Sequence, residues 1–135
     1  MKLKLIIPWM MLSFWVFAQE ASIMPQTQGD VSFISGGVGS DERERLQAIG
    51  TDYNLRLIFS TQGSGDYLSG VNVTIKDAGG KIVLETVTDG PMLFVKLKPG
   101  RYGVSVDYQA RLMHKTVTVN DSTRAPLAFA WPERR

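Results

Sequence analysis

Side chains that could perform catalysis are few and scattered in this 135-residue chain. Ser64 lies in a Gly-Ser-Gly stretch that lacks the G-x-S-x-G spacing of an exposed nucleophilic serine. His114 is the single histidine and stands among cations in the run from Arg111 to Lys115. Nucleophilic catalysis needs a base within hydrogen-bonding reach of the nucleophile, and the spacing does not pair these two residues. We therefore predict that Ser64 lies in a loop, that His114 lies on a strand surface, and that the chain is not an enzyme.

Metal and cofactor sites are not indicated either. The chain has no Cys and one His, which excludes thiolate sites and sites built from several imidazoles. Asp41, Glu42 and Glu44 alternate with two arginines, which is typical of a solvated first helical turn whose carboxylates complement the helix dipole. We predict no metal and no cofactor. An enzyme would instead need distant carboxylates to converge, such as Asp66, Asp89 and Asp107.

The segment Ser35 to Gly39 is the most distinctive stretch, because it holds five small or flexible residues just before an acidic helix. It matches neither common phosphate-loop pattern, so we interpret it as a hinge or packing loop. Among the aromatic residues, Tyr108 and Trp131 share faces with apolar neighbours and are predicted to pack in the core or at its edge. Tyr67 is predicted to be exposed in a loop. The predicted binding residues are Gly36, Gly37, Gly39 and Tyr67.

The amino terminus has the order of a secretory signal peptide: a basic start, an apolar run from Leu5 to Phe17, and small residues before Gln19. The apolar run of about 13 residues is shorter than the roughly 20 that a membrane-spanning helix needs; the alternative is an uncleaved anchor. Cleavage after Ala18 leaves 117 residues with 13 basic and 13 acidic side chains. This neutral balance removes the electrostatic argument for a nucleic-acid partner. Export without Cys predicts a periplasmic or secreted bacterial protein.

The remaining chain predicts one helix followed by strands. Ser40 or Asp41 can cap a helix over residues 41–49, and Gly50 can end it. A short strand is predicted at residues 31–34, within a leader that is otherwise flexible. From Tyr53 onward, apolar residues alternate with polar ones between turn-forming stretches, which predicts seven short strands with one packed face and one wet face. The chain is thus divided into a signal peptide (1–18), a leader with loop and helix (19–50) and a β-sandwich (51–135).

Three stretches resemble the carboxypeptidase regulatory-like domain: Leu68 to Asp77, Gly80 to Leu84 and Leu97 to Val106. The strongest is the L-x-P-G-x-Y-x-V pattern that begins at Leu97. The resemblance covers roughly residues 53–131 and implies an all-β, seven-stranded Greek-key β-sandwich of the transthyretin-like (prealbumin-like) type, used as an accessory module. The transthyretin-like branch that hydrolyses 5-hydroxyisourate ends in a Tyr-Arg-Gly-Ser signature, which this chain lacks, so that activity is not implied.

These observations predict a non-catalytic, exported binding or interaction module of the bacterial cell envelope. The expected partner is an envelope protein that binds at a sheet edge. Residues 35–50 either cover such an edge or are displaced by the partner. The alternative is a carbohydrate or cell-wall binding domain that uses loop aromatics. The oligomeric state is left open by the sequence.

Overall fold

The structure, a computed structural model, describes residues 24–122 and 126–133. The predicted signal peptide and its cleavage site lie outside the described residues. Within the described ranges, the elements in chain order are β1 (Gln26–Gln28), β2 (Val31–Gly36), α1 (Ser40–Ile49), a 3-10 turn (Gly50–Asp52), β3 (Leu55–Thr61), β4 (Asn72–Asp77), β5 (Ile82–Val87), β6 (Met92–Lys96), β7 (Gly100–Tyr108), β8 (Arg111–Val119) and β9 (Pro126–Trp131).

These strands form two sheets. The five-stranded sheet has the order β1-β2-β6-β3-β9, and the four-stranded sheet has the order β5-β4-β7-β8. Neighbouring strands are antiparallel, except that β9 runs parallel to β3. The prediction of a mostly β chain with sandwiched sheets and one short helix is confirmed. The described residues hold nine strands rather than seven, because β1 and β2 join the seven strands that follow residue 51.

The main core lies between the two sheets and follows the predicted alternation. Leu55, Leu57 and Phe59 of β3 face it, together with Val104 and Val106 of β7. Further inward-facing side chains come from the other strands, namely Val31, Phe33, Val73, Ile75, Leu84, Leu93, Val95, Phe129 and Trp131. The period of two therefore identifies the side of each strand that is removed from water.

The outer face of the five-stranded sheet carries a second, smaller core. Leu46 of α1 packs there with Ile34 of β2, Met92 and Phe94 of β6, and Tyr53. The helix therefore lies on a face of the sheet. The expectation that residues 35–50 cover a sheet edge is wrong, because the apolar outer positions of β2 and β6 give α1 a surface on which to bury Leu46.

The amino-terminal strands belong to the same sheet as the later ones. β2 pairs with β1 on one side and with β6 on the other. Val31 and Phe33 of β2 are buried in the main core. The predicted division at residue 50 thus separates strands that the structure joins in one sheet.

Two amides replace backbone partners where strands end. The Asn54 Nδ2 donates to the Leu97 carbonyl (2.7 Å), and the Leu97 N–H donates to Asn54 Oδ1 (2.9 Å), both in the buried interior. Gln28 makes the same pair of bonds with the backbone of Glu85, at 3.0 and 2.8 Å, at an exposed site. The same pair of amide–backbone hydrogen bonds is therefore present once in the buried interior and once at the surface.

Because unsatisfied backbone groups cost more when they are buried, Asn54→Ala should lower the free energy of unfolding by about 2–4 kcal/mol. The matched exposed variant Gln28→Ala should lower it by less than about 1 kcal/mol, since water replaces the lost bonds. Urea unfolding of both variants measures this difference. Equal losses would contradict the assignment of the Asn54 bonds to the buried interior.

Candidate functional site

The glycine-rich loop is held to α1 by Glu42. Its Oε1 accepts the N–H groups of Gly37 (2.7 Å) and Val38 (3.2 Å). The helix begins at Ser40, with Gly39 as the N-cap. No side chain makes a capping hydrogen bond to the first turn of this helix. The predicted cap by Ser40 or Asp41 is therefore wrong: a glutamate in the first turn reaches back to the loop instead.

Arg43 brings two of the predicted binding residues together. Its Nη1 donates to the Gly37 carbonyl (3.1 Å), and its guanidinium carbon lies 4.7 Å from the centre of the Tyr67 ring. Tyr67 is 49% exposed in the segment between β3 and β4, as predicted. Gly36 packs under Glu42 and Leu46, whereas a Cβ on Gly39 would meet no atom within 4 Å.

A serine–histidine pair that was not predicted joins β7 and β8. Ser105 Oγ lies 2.9 Å from His114 Nδ1 on the exposed face of the four-stranded sheet. A Cβ on Gly103 would lie 3.0 Å from His114 Cε1, so the imidazole rests over this glycine. The register of the β7–β8 hairpin, which pairs Tyr108 with Arg111, places Ser105 opposite His114. The sequence gives no signal for this pair, because the turn at Gln109 and Ala110 that sets the register contains no glycine.

Other candidate groups are dispersed. Ser64 lies in an exposed loop, as predicted, and its Oγ accepts the Asp66 N–H (3.2 Å). His114 lies on the exposed surface of β8, as predicted. Within residues 24–122 and 126–133, no three His, Asp or Glu side chains gather as metal ligands. Trp131 is buried, and its indole Nε1 donates to the Arg111 carbonyl (3.0 Å).

Lysines gather at one end of the sandwich, where the β1–β2, β4–β5 and β6–β7 connections meet. A cavity of about 330 Å³ there is lined by Lys81, Lys96 and Lys98 together with Asp30 and Asp77. Lys98 and Asp30 approach to 3.9 Å. The two acids dilute the positive charge of this cavity.

Side chains occupy the backbone edges of two of the outermost strands. The Gln28 amide bonds to Glu85 on β5. On β9 and its extension, three carbonyl groups accept side-chain donors: Ala128 from Lys115 (2.6 Å), Ala130 from Gln62 (3.1 Å) and Pro132 from Arg111 (2.7 Å). A third outermost strand, β1, is only three residues long.

The fourth outermost strand, β8, has an open edge. Gln109 and Ala110 have φ of 52° and 64°, which fits a two-residue type I′ turn, so Tyr108 and Arg111 form a hydrogen-bonded pair. Bonded and non-bonded pairs alternate along an antiparallel ladder. The backbone groups of Leu112, His114, Thr116 and Thr118 therefore point away from β7. In the part of the chain that the structure describes, no hydrogen bond joins these groups to another segment.

The β8 edge also lacks three of the features that usually protect an edge strand, namely short length, a proline and a bulge. It runs for nine residues without a proline, and its register with β7 is continuous. Lysine side chains commonly block such edges. Here Lys115 is engaged instead, because its Nζ bonds to Ala128. Leu112, at the start of the strand, is 70% exposed. This geometry suits the addition of an extended segment to β8.

No family model matches the chain, and no curated protein is significantly similar to it. Among the described residues, no helix combines the length and the apolar composition that crossing a membrane requires.

Two buried tyrosines, Tyr53 and Tyr102, have pKa values above the ordinary value of a tyrosine. Burial raises the pKa of Tyr53 above its ordinary value of 10.0, and the Asp52 carboxylate raises it further. Burial likewise raises the pKa of Tyr102, with a contribution from Asp77. The Tyr102 hydroxyl donates to the Lys98 carbonyl (2.7 Å).

Because folding favours the neutral phenol, its contribution to stability is complete below pH 10 and is lost as the pH rises through the folded-state pKa. Tyr53→Phe should therefore lose less stability than the parent above pH 10. Tyr102→Phe should already be less stable by about 1 kcal/mol at neutral pH, because it loses the bond to Lys98. Urea unfolding at several pH values tests both statements. An alkaline loss in Tyr53→Phe as steep as in the parent would contradict the role of Tyr53.

Proposed function

We propose that this chain is a non-catalytic binding module of the bacterial cell envelope that recognises a partner protein by strand addition at β8. The observation that carries the proposal is the open, regular edge of this nine-residue strand. An added strand would satisfy the outward backbone groups of Leu112, His114, Thr116 and Thr118. Main-chain hydrogen bonds would supply affinity, and alternate side chains would supply selectivity.

The side chains of β8 suggest what the partner segment presents. Leu112 offers an exposed apolar contact at one end of the edge. His114 and the two threonines that follow at alternate positions are polar and lie on the same face. A partner segment with one apolar residue followed by alternating polar residues would complement this row.

The proposal includes export through residues 1–18, a periplasmic or secreted location, and membership in the carboxypeptidase regulatory-like group with a transthyretin-like Greek-key arrangement. Support for the last point comes from the stretch at Leu97. Its Pro-Gly turn leads directly into β7, and Tyr102 and Val104 are both buried, as the pattern requires. Binding of an envelope protein rather than a nucleic acid follows from the neutral mature chain.

Carbohydrate binding is the second candidate, and it depends on Tyr67. This ring is half-exposed, and Arg43 lies over it, so a sugar would have to stack on the remaining surface. Tyr67→Ala would also remove the contact to Arg43. A glycan assay on this variant therefore needs an unfolding measurement beside it.

The test of strand addition starts from the partner recovered with the chain from cross-linked envelope extract. Thr116→Pro removes one outward N–H and places a ring on the edge, while the bonds between β7 and β8 remain. Partner affinity should fall at least about tenfold. Leu112→Thr should weaken binding by roughly tenfold through the lost apolar contact. Isothermal titration measures both.

Val87→Thr is the matched control, because Val87 is also an exposed apolar residue (56%) but lies on β5 at the opposite edge of the same sheet. The affinity of Val87→Thr for the partner protein should equal that of the parent. If Leu112→Thr and Thr116→Pro remain folded and bind like the parent, strand addition at β8 is excluded. Recovery of glycan without a protein partner would favour the second candidate.

A further inference from the structure

A second cavity opens on the outer face of the five-stranded sheet, beside α1. Its volume is about 250 Å³. We call it the outer groove and define it by the residues that line it: Gln47, Arg56, Leu57, Ile58, Met92, Phe94 and Pro126. It lies on the opposite sheet from β8 and is independent of strand addition.

The groove exists because α1 covers only half of this face. Leu46 packs over β2 and β6, through Ile34, Met92 and Phe94. The outer positions of β9 carry short or compact residues that do not fill the space next to the helix. These residues are Pro126, Ala128 and Ala130, which alternate with the inward-facing Leu127, Phe129 and Trp131.

Among the described residues that line the outer groove, Arg56 is the one with a charged side chain. Its guanidinium carbon lies 5.5 Å from the centre of the Phe94 ring. Its Nε is buried and has no hydrogen-bond partner in the described part of the chain. A buried donor without a partner is rare in proteins and costs free energy, which a hydrogen-bonding ligand would recover.

We propose that the outer groove binds a small amphiphilic carboxylate, a free organic acid with one aliphatic or aromatic group. The apolar group lies against Ile58, Met92 and Phe94. The carboxylate accepts hydrogen bonds from Arg56, whose planar guanidinium matches carboxylate geometry. The volume is slightly below the range of sites for drug-sized ligands, so it accommodates a single apolar group rather than a long segment.

The experiment is a two-dimensional amide NMR titration of the full mature chain with 3-phenylpropionate and with octanoate. At least one acid should shift the amide signals of Ile58, Met92 and Phe94 with saturation in the millimolar range or below. The uncharged analogue 3-phenylpropionamide keeps the ring and removes the charge. It should bind at least tenfold more weakly than 3-phenylpropionate if this acid is the one that binds.

Arg56→Gln should weaken binding of the acid to the level of the amide. Arg101→Gln is the matched control, since Arg101 is exposed on β7 of the other sheet and should leave binding unchanged. Gln47→Phe keeps Arg56 and places a ring at the groove, so it should abolish binding of both compounds. This variant tests the site even if Arg56→Gln alters the fold, which urea unfolding reveals.

Three results would overturn the proposal. The first is the absence of saturable shifts with either acid. The second is equal affinity for the acid and its amide, which would show that Arg56 contributes nothing. The third is saturable shifts confined to other surfaces, such as the lysine-lined cavity, with Gln47→Phe binding as the parent does.

Discussion

β6 is buried on both faces, and the remainder of the molecule is arranged around this strand. Leu93 and Val95 face the core between the sheets, whereas Met92 and Phe94 face the opposite way. A strand with two apolar faces needs a cover on each side. The second sheet provides one cover and α1 provides the other, so the fold has three layers over β6 and the neighbouring β2, and two layers elsewhere. The position of α1 follows from the need to bury Met92 and Phe94 on the outer face of β6.

Much of the fold follows from the period of two, since it identifies the inward side of β3, β7 and β9. The unbroken apolar run from Met92 to Val95 carries a further signal, because such a run is typical of a strand without a wet face. The β7–β8 turn could not be predicted by composition, since Gln109 and Ala110 adopt positive φ without glycine. Arg56 likewise gives no sequence signal: it occupies a polar position of an alternating strand, and only the half-coverage by α1 makes it notable.

At two edges of the sandwich, side chains rather than additional strands bond to the backbone groups. Gln28 imitates a strand partner for β5, and three long polar side chains bond to the backbone of β9 and its extension. Two of these donors, Arg111 and Lys115, come from β8 itself. Their engagement closes one edge and withdraws from β8 the lysine that would protect the other. The open and closed edges are therefore two results of the same set of contacts.

The attachment of α1 has a consequence for the motions of the native state. Leu46 is the single buried residue of this ten-residue helix. Burial of one leucine is worth about 1.5–3 kcal/mol, against the 5–15 kcal/mol that stabilises a typical domain. We therefore expect α1 to detach in a subglobal opening that leaves the sheets intact. Its amide hydrogens would exchange with solvent through this opening, which would also expose the Phe94 ring that Leu46 covers.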